Sequence, residues 1–593
     1  MTFGIWAPGH KAVEVVLAGN RRLPMGQEGR GWWQLVQPAL APGTRYRFSV
    51  DGGPARPDPR SPWQPEGTDG ASATVDFSQF EWSDAGWVPP ELASAVIYEM
   101  HVGTFSRAGT FEGAIDHLGH LVELGVNALE VMPVAEASGE RGWGYDGADL
   151  WAPHHAYGGP AGLKRFVDAC HGRGLAVILD VVYNHLGPAG NYLSEFGPYF
   201  TEAYETPWGA AVNMDGPGSY GVRDFVISNA VMWLRDYHID GLRLDAVHAI
   251  YDEGPLHVLE ELATAVDELS FEAGRKMWLI AEDDRNDPRV ARPRSEHGYG
   301  LDACWDDDFH HALHTVLTGE RQGYYSDFGL IGQLAKAYED GFVYDGTFSE
   351  YRQRSQGRPA DGLAGSAFVC CLQNHDQVGN RALGERTSHL LGTDLLKVGA
   401  ALLLLSPFVP MLFQGEEWGA SAPFLYFTDH KDPELAKAVS EGRRREHPTG
   451  EGQEVPDPQA LETFTRSKLD WDELKREPHR SVLDWHRRLL ALRRHEADLS
   501  NCDRWAVVTR YDEGSRWLVV RRGHFSIAAN LAAERQALPL GGPGSSIALS
   551  SQDAAGLDGS KVWLPPRSVA VVFHEEAVTG PRRQRGRHLQ GEG

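Results

Sequence analysis

Between residues 95 and 413 the chain repeats one alternation, a short apolar run with strand character followed by a segment with helical periodicity. Strands that alternate with helices are joined by crossover connections and therefore lie parallel in one sheet. Eight such runs, spread over roughly 400 residues, predict a closed (β/α)8 TIM barrel. The predicted strands begin at Ala95, Ala128, Leu175, Gly241, Lys276, Asp302, Ser366 and Pro407.

Shorter β-rich runs flank this segment on both sides. The runs before residue 90 alternate with Gly and Pro turns, which is the pattern of a small β-sandwich, and similar runs return after residue 506. The final residues carry no apolar face and predict disorder. We therefore expect an N-terminal β-sandwich at 1–90, a catalytic barrel at 91–495, a C-terminal β-sandwich at 496–577 and a disordered tail at 578–593. A short insertion at about 186–225 follows the third strand.

The charge balance narrows the range of partners. The chain has 56 Lys and Arg residues against 82 Asp and Glu residues, a net charge of −26. Such a surface repels polyphosphates and anionic membranes, so we expect neither nucleic acid nor a membrane as partner. The most apolar stretch, 395–413, contains Lys397 and two prolines and suits a buried helix and strand better than a membrane span.

The cysteines indicate a reducing compartment. They are odd in number, scattered and without a CxxC pair, so neither a disulfide framework nor a zinc site is predicted. The N-terminus has no apolar signal segment, and the cytoplasm is the expected location. A monomer and a simple homo-oligomer both remain open. The cysteines are Cys170, Cys304, Cys370, Cys371 and Cys502.

Polar residues gather where the predicted strands end. Barrel enzymes place their reactive groups at the C-terminal ends of the strands, where the loops form the mouth. An unpaired carboxylate in the interior is strongly disfavoured, so several of them at these ends indicate a site rather than packing. A buried salt bridge between Arg243 and Asp245 is the simpler alternative for those two residues alone. The polar residues are Asp180 and His185 (third strand), Arg243 and Asp245 (fourth), Glu282 (fifth), and His375 and Asp376 (seventh).

Three carboxylates and one arginine predict hydrolysis or transfer of a glycosyl group. A retaining mechanism needs an ionised carboxylate beneath the anomeric carbon and a protonated acid beside the leaving oxygen. Arg243 should lower the pKa of Asp245, which makes Asp245 the predicted nucleophile. Glu282 follows an apolar strand and precedes two aspartates, so its pKa should rise, as a general acid and base requires. Asp376 would bind sugar hydroxyls, with His375 and His185 as hydrogen-bond donors.

Four of these segments resemble, in order and spacing, the signature regions of the α-amylase family of glycoside hydrolases. They are DVVYNH, GLRLDAVH, IAED and QNHDQ, at 180–185, 241–248, 280–283 and 373–377. The resemblance implies Asp245 as nucleophile, Glu282 as acid and base, and Asp376 as transition-state stabiliser. It also implies that Asp180, His185, Arg243 and His375 surround the substrate.

The resemblance extends to the loop GWGYDG and to the N-terminal module. It implies that Tyr145 is a stacking platform for sugar and that the sandwich at 1–90 is a carbohydrate-associated module. Trp143 either stacks on sugar or plugs the loop. His248 stands where many relatives begin a Lys-His pair, so the acceptor contact should differ here. Asn184 matches a residue that binds calcium in some amylases, but no further oxygen ligands follow, and we expect neither a metal nor another cofactor.

Other segments, such as IAEDDRNDPR and WDDDFHHALH, resemble a branch of the family that acts on maltooligosyl trehalose and related α-1,4-glucans. Its members hydrolyse the α-1,4 bond next to the terminal trehalose, releasing trehalose and a maltooligosaccharide in trehalose biosynthesis. A 1,4-α-glucan branching enzyme is the main alternative, because it uses the same nucleophile and acid. A non-catalytic carbohydrate-binding relative would be expected to lack one carboxylate, and all three are present.

Overall fold

The architecture centres on a closed barrel of eight parallel strands. The computed structural model describes residues 1–38, 40–447 and 454–577. Each predicted run contributes one barrel strand, and the eighth strand pairs with the first, which closes the sheet and confirms the predicted barrel. The strands, labelled β1 to β8, are Ile97–Met100, Ala128–Val131, Ala176–Val181, Gly241–Leu244, Trp278–Ala281, Ala303–Trp305, Phe368–Cys371 and Val409–Phe413.

The barrel strands are apolar on both faces because both faces are covered. Successive side chains alternate between the barrel interior and the surrounding helices. Ile178, Ile280 and Val369 belong to one buried cluster inside the barrel, whereas Leu129 and Leu242 belong to the larger cluster outside it. This alternation determines which polar residues of a strand can reach the mouth of the barrel.

Helices form the layer around the strands, and their bounds are given in chain order. Between β1 and β4 they are Val102–Phe105, Phe111–Ile115, Leu118–Leu124, Gly159–His171, Leu193–Phe196 and Ser219–Asp236. Between β4 and β8 they are Val258–Ala273, Asp307–Thr318, Ile331–Asp340, His375–Gly379, Thr387–Leu390 and Thr393–Leu404. After β8 they are Pro433–Glu446, Leu461–Arg466, His479–His495 and Ala497–Ser500.

The connection between β5 and β6 departs from the regular alternation. All of its residues, 282–302, are described, and they contain one 3-10 turn at Arg294–Glu296 but no α-helix. Pro288 and Pro293 interrupt this segment, and proline removes a helical hydrogen bond and clashes with the preceding turn. The connection is therefore a loop that runs from Glu282 to the start of β6.

Three two-stranded hairpins project from the connections. One follows β2, one lies in the segment after β3, and one follows β6. The second of these occupies the insertion expected after the third strand. Their strands are Ala135–Ala137 with Gly147–Pro153, Phe200–Thr206 with Gly209–Val212, and Phe348–Ser349 with Arg354–Ser355.

The N-terminal segment forms two small antiparallel sheets that pack against the barrel. Trp6 meets Tyr199 edge to face, with ring centroids 5.3 Å apart. It also lies on the helix that begins at Ser219, so closely that a Cβ added to Gly221 would lie 2.1 Å from its ring. The strands are Thr2–Trp6, Gly26–Gly29 and Trp32–Val36, and Val13–Leu17, Arg21–Pro24, Arg45–Val50, Ala55–Arg56 and Ser72–Ala73.

The C-terminal segment also folds into two antiparallel sheets. The tail predicted to be disordered, 578–593, lies outside the described residues. Within the described ranges, each helix is too short or too polar to cross a lipid bilayer. The strands are Val507–Asp512, Trp517–Arg522, Phe525–Asn530, Ser546–Ser550 and Ser568–Phe573, and Gln536–Pro539, Gly556–Asp558 and Lys561–Leu564.

Candidate active site

The centre of the barrel mouth is the guanidinium of Arg243, the third residue of β4. Its Nη1 donates to Asp180 Oδ2 and to Asp245 Oδ1, both at 2.8 Å. Its Nη2 donates to Glu282 Oε2 at 2.7 Å. Arg243 pairs in register with Asp180 on β3, so both side chains lie on the inner face of the barrel at the same level. The structure thus gathers four predicted residues from three neighbouring strands around one cation.

Arg243 is fully shielded from solvent. It is 0% exposed, and its guanidinium lies 4.1 Å from the centre of the Trp305 ring. Burial opposes the charge, but the carboxylates of Asp180, Glu282 and Asp245 outweigh burial and raise the pKa of Arg243 well above its ordinary value. The cation is therefore permanent and fixes the carboxylates that surround it.

Asp245 is held in its ionised form. Besides Arg243, the Asn184 side-chain amide donates to Asp245 Oδ2 at 2.7 Å and to its backbone oxygen at 2.8 Å. Burial works to raise the pKa of Asp245, but Arg243 and the Asn184 hydrogen bond together lower it below its ordinary value. A buried carboxylate that stays charged fits the requirement for a nucleophile.

Glu282, directly after β5, is held in the opposite state. Burial, followed by the charges of Asp245 and Asp376, raises its pKa well above the ordinary value despite the opposing Arg243. Its side chain remains 20% exposed. The backbone N–H of Ala246 donates to Glu282 Oε2 at 2.9 Å, and Ala246 has a φ of 38°. Such a φ is strained for alanine. Ala246 directly follows Asp245, so its hydrogen bond connects the turn at Asp245 to Glu282.

Asp376 lies in the first turn of the helix His375–Gly379, whose N-terminal amides are capped by Asn374. Its side chain is 36% exposed, and its Oδ1 is 3.4 Å from His375 Nε2. His375 also pairs through Nδ1 with Glu99 Oε1. Burial lowers the pKa of His375, but the charges of Asp376 and Glu99 outweigh burial and raise it to about 10. The imidazole is therefore cationic at neutral pH and orients Asp376.

Tyr145, from the loop after β2, joins the two halves of the site. Its hydroxyl donates to Asp180 Oδ2 at 2.7 Å and lies 2.8 Å from His375 Nε2. Its ring stacks on His375 with centroids 5.2 Å apart. Burial raises the pKa of Asp180 to about 6 in spite of Arg243. Tyr145 thus contacts a residue of the third strand and one that follows the seventh strand at the mouth.

His185 and His248 contact residues that neighbour Asp245 and Glu282. His185 Nε2 is 3.0 Å from the backbone oxygen of Tyr145, its Nδ1 contacts the Asn184 side chain, and burial lowers its pKa. His248 follows Asp245 by three residues, and its Nδ1 is 3.7 Å from Asp284 Oδ1. His248 is therefore beside the residues that follow Glu282.

Among the residues that the structure describes, two groups of side chains have the composition of a metal site. Their ligand atoms lie within 4.8 Å of one another in each case. In the first group, Asp283 and Asp284 each already accept from an arginine. In the second, His155 and Glu136 already form an ion pair of 2.8 Å. The groups are His248, Asp283 and Asp284, and Glu136, His154 and His155.

Trp143 does not present a face to the mouth. It is 5% exposed, its indole stacks on Phe424 with centroids 5.1 Å apart, and its Nε1 donates to Leu425 O at 2.9 Å. A buried, hydrogen-bonded indole cannot stack on a sugar without leaving its place. Of the two sequence interpretations, the structure supports the plug of the loop and gives no support to the substrate-binding role.

The sequence analysis missed two residues of the site, Glu99 and Trp305. Glu99 on β1 pairs with His375, and Trp305 ends β6 and covers Arg243. Glu99 is a charged residue inside the first predicted strand, which is a signal that could have found it, and the structure ends that strand one residue later, at Met100. Trp305 carries no such signal, because a tryptophan in a strand more often fills the core.

Two family models match parts of the chain. A family model described as the alpha amylase catalytic domain matches residues 77–205, and a model described as a domain of unknown function, DUF3459, matches residues 503–571. The chain is also similar in structure to a Salmonella typhimurium protein described as an alpha amylase. The TM-score is 0.88, with 40% identity and 97% of both chains covered.

The similarity to curated relatives extends over nearly the whole chain. The malto-oligosyltrehalose trehalohydrolase of Rhizobium sp. (strain M-11) is 47% identical over 96% of this chain and 97% of its own length. The protein of the same name from Arthrobacter ramosus is 51% identical over 83% of this chain and 87% of its own. A 1,4-alpha-glucan branching enzyme from Pseudoalteromonas atlantica is 29% identical over 58% of this chain and 53% of its own.

Proposed function

Since the chain belongs to the malto-oligosyltrehalose trehalohydrolase family of glycoside hydrolases, we propose that it hydrolyses the α-1,4-glucosidic bond next to the terminal trehalose of maltooligosyl trehalose. The products are trehalose and a shortened maltooligosaccharide. Identity above 45% over nearly the full length of such relatives supports this substrate.

The reaction that we propose is a double displacement. In the first step Asp245 Oδ attacks the anomeric carbon, while Glu282 gives its proton to the glycosidic oxygen of the departing trehalose. The bond between the anomeric carbon and that oxygen breaks, and a glycosyl ester with Asp245 forms. In the second step Glu282 takes a proton from water, the water oxygen attacks the same carbon, and the ester bond breaks. The configuration is retained because each step inverts it.

The observation that carries this chemistry is a pair of carboxyl groups on one guanidinium whose surroundings shift their pKa values in opposite directions. Asp245 has a lowered pKa and Glu282 a raised pKa, although both contact Arg243. A shared guanidinium keeps the two groups close neighbours, which supports the separation of about 5 to 5.5 Å that retaining enzymes need. Nucleophile and acid are thus assigned by their surroundings.

The remaining predicted residues bind and orient the sugar. Asp376, the most exposed of the three proposed catalytic carboxylates, hydrogen-bonds to sugar hydroxyls and favours the distorted ring of the transition state. Tyr145, His185 and His375 surround the same ring, and His248 faces the leaving group on the side of Glu282. Asp180 holds Arg243 and Tyr145 in place.

We further propose a division of labour among the domains. The barrel at 91–495 carries the chemistry, and the sheets at 1–90 and 496–577 act as the carbohydrate-associated and stabilising modules. The free, buried cysteines support a cytoplasmic location, since reducing compartments retain thiols. The net charge of −26 supports a protein that binds neither nucleic acid nor membrane.

Incubation with maltotriosyl trehalose, followed by NMR, tests the substrate, the bond and the stereochemistry together. We expect trehalose and maltotriose, with the new reducing end of maltotriose appearing first as the α-anomer. A branched glucan formed from amylose, without trehalose release, would favour the branching enzyme, to which the chain is 29% identical. A β-anomer as first product would contradict the double displacement.

A further inference from the structure

One tryptophan near the mouth is exposed and has no role in the mechanism above. Trp208 lies in the turn of the hairpin formed by Phe200–Thr206 and Gly209–Val212, in the insertion after β3. It is 48% exposed. Single exposed aromatic residues are common on protein surfaces, so exposure alone assigns no role to Trp208, and its stacking on His185 is what distinguishes it.

The turn that carries Trp208 is held in one conformation. The Trp208 N–H donates to Thr206 Oγ1 at 3.2 Å, and the same hydroxyl donates to Gly209 O at 2.8 Å. Further down the hairpin, Tyr204 stacks on Tyr251 with centroids 5.0 Å apart and an interplanar angle of 9°. Tyr251 belongs to the loop after β4, so this stack attaches the hairpin to the rim of the barrel.

A short chain of contacts connects Trp208 to the nucleophile. The indole stacks on His185, with ring centroids 4.7 Å apart and planes inclined by 13°. His185 contacts Asn184, and Asn184 donates to Asp245. Trp208 is therefore one ring and one amide away from the residue that forms the glycosyl ester.

We propose that Trp208 is a stacking platform for a glucosyl ring of the substrate, bound beside His185. The C–H groups on a pyranose face are apolar, and they pack on an indole while the hydroxyls point to polar groups such as the His185 imidazole. The inference rests on the proposed function, because it assigns a binding surface for the same substrate.

Steady-state kinetics on maltotriosyl trehalose tests the platform with a matched control. Trp208→Ala should raise KM about tenfold, equivalent to about 1.4 kcal/mol, with kcat within about twofold, because binding is lost equally in the ground state and the transition state. Trp208→Phe keeps an aromatic face and should raise KM less than about threefold. The control Trp563→Ala removes a tryptophan of similar exposure, 40%, from the C-terminal sheets and should leave both constants unchanged.

The alternative is that Trp208 merely fixes the His185 ring. In that case kcat should fall in Trp208→Ala while KM stays the same, and this result, like an unchanged KM and kcat, overturns the proposal. Direct binding gives a second readout. In an Asp245→Asn background, maltotriosyl trehalose should change the tryptophan fluorescence, and the additional Trp208→Phe change should remove most of that signal.

Failure of the platform and failure of the proposed function have different signatures. If wild-type enzyme releases no trehalose from maltotriosyl trehalose, the function is wrong. If wild-type enzyme releases trehalose but Trp208→Ala keeps the wild-type KM, and the fluorescence response survives Trp208→Phe, only the platform is wrong. A normal thermal melting curve for each variant shows that the hairpin and barrel remain folded.

Discussion

Two arginines are buried at opposite ends of the barrel, and they are satisfied in different ways. Arg243 at the mouth is 0% exposed and donates to three carboxylates. Arg522 from the C-terminal sheet is 2% exposed, and its Nη1 donates to the backbone oxygens of Leu405 and Ser406, both at 2.7 Å, just before β8 begins. One cation is surrounded by ionisable groups, and the other by carbonyls.

The pKa values of the two arginines are shifted in opposite directions. The carboxylates outweigh burial and raise the pKa of Arg243, whereas burial and the nearby Arg493 lower the pKa of Arg522. Carbonyl partners cannot change protonation state, so Arg522 can only hold the end of the helix Thr393–Leu404 and the C-terminal sheet together. Carboxylate partners can change state, and the mouth is where chemistry that moves protons is possible.

The largest expected effect is the loss of activity in Asp245→Asn. An amide cannot form the glycosyl ester, so kcat on maltotriosyl trehalose should fall by about ten-thousandfold or more. The melting temperature should change little, because Arg243 keeps Asp180 and Glu282 as partners. Turnover at the wild-type rate would show that Asp245 is not the nucleophile. It would also contradict the assignment of the chemistry to the surroundings of Arg243.

Substituting lysine for each arginine should separate an effect on catalysis from an effect on stability. Arg243→Lys should lower kcat/KM by about a hundredfold to a thousandfold, because one ammonium cannot replace two nitrogens that contact Asp245 and Glu282 separately. Arg522→Lys should instead destabilise the fold by about 1 to 3 kcal/mol through unpaired carbonyls, with kcat/KM nearly unchanged. Thermal melting and kinetics of both variants check this. Equal loss of activity in both would contradict the assignment of chemistry to the mouth alone.

The smallest expected effect is on the pH dependence. The wild-type enzyme should lose kcat/KM as pH falls through the lowered pKa of Asp245, which must be ionised, and as pH rises through the raised pKa of Glu282, which must be protonated. Asn184→Ala removes a hydrogen bond to the charged form of Asp245, so the acid limb should move to higher pH. The loss of kcat/KM at neutral pH should be about tenfold.

The control for this experiment is the alkaline limb of the profile. That limb is set by Glu282, whose pKa does not depend on the Asn184 amide, so it should stay in place. A pH–rate profile of Asn184→Ala in which the alkaline limb moves, or the acid limb stays in place, would show that the amide does not set the pKa of Asp245.

Many of the candidate site residues could be proposed from the sequence, because the ends of apolar strands can be located in it. Asp180, Arg243, Asp245 and Glu282 each follow an apolar run, and parallel strands bring such ends together. The sequence left a choice open where partners come from a distance. Trp143 and its partner Leu425 are 282 positions apart, so its burial could not be inferred from the loop that contains it.

Local patterns in the sequence were enough to predict the barrel and to point to the polar residues at the ends of its strands, because apolar runs and helical periodicity are local properties of the chain. The tertiary structure added the contacts that shift the pKa values of Asp245 and Glu282 in opposite directions. Desolvation, the guanidinium of Arg243 and the amide of Asn184 act over a few ångströms, and Glu282 and Asn184 are 39 and 61 residues away in the chain from the groups that they contact. The pKa values depend on those distances, which the amino-acid sequence does not specify directly.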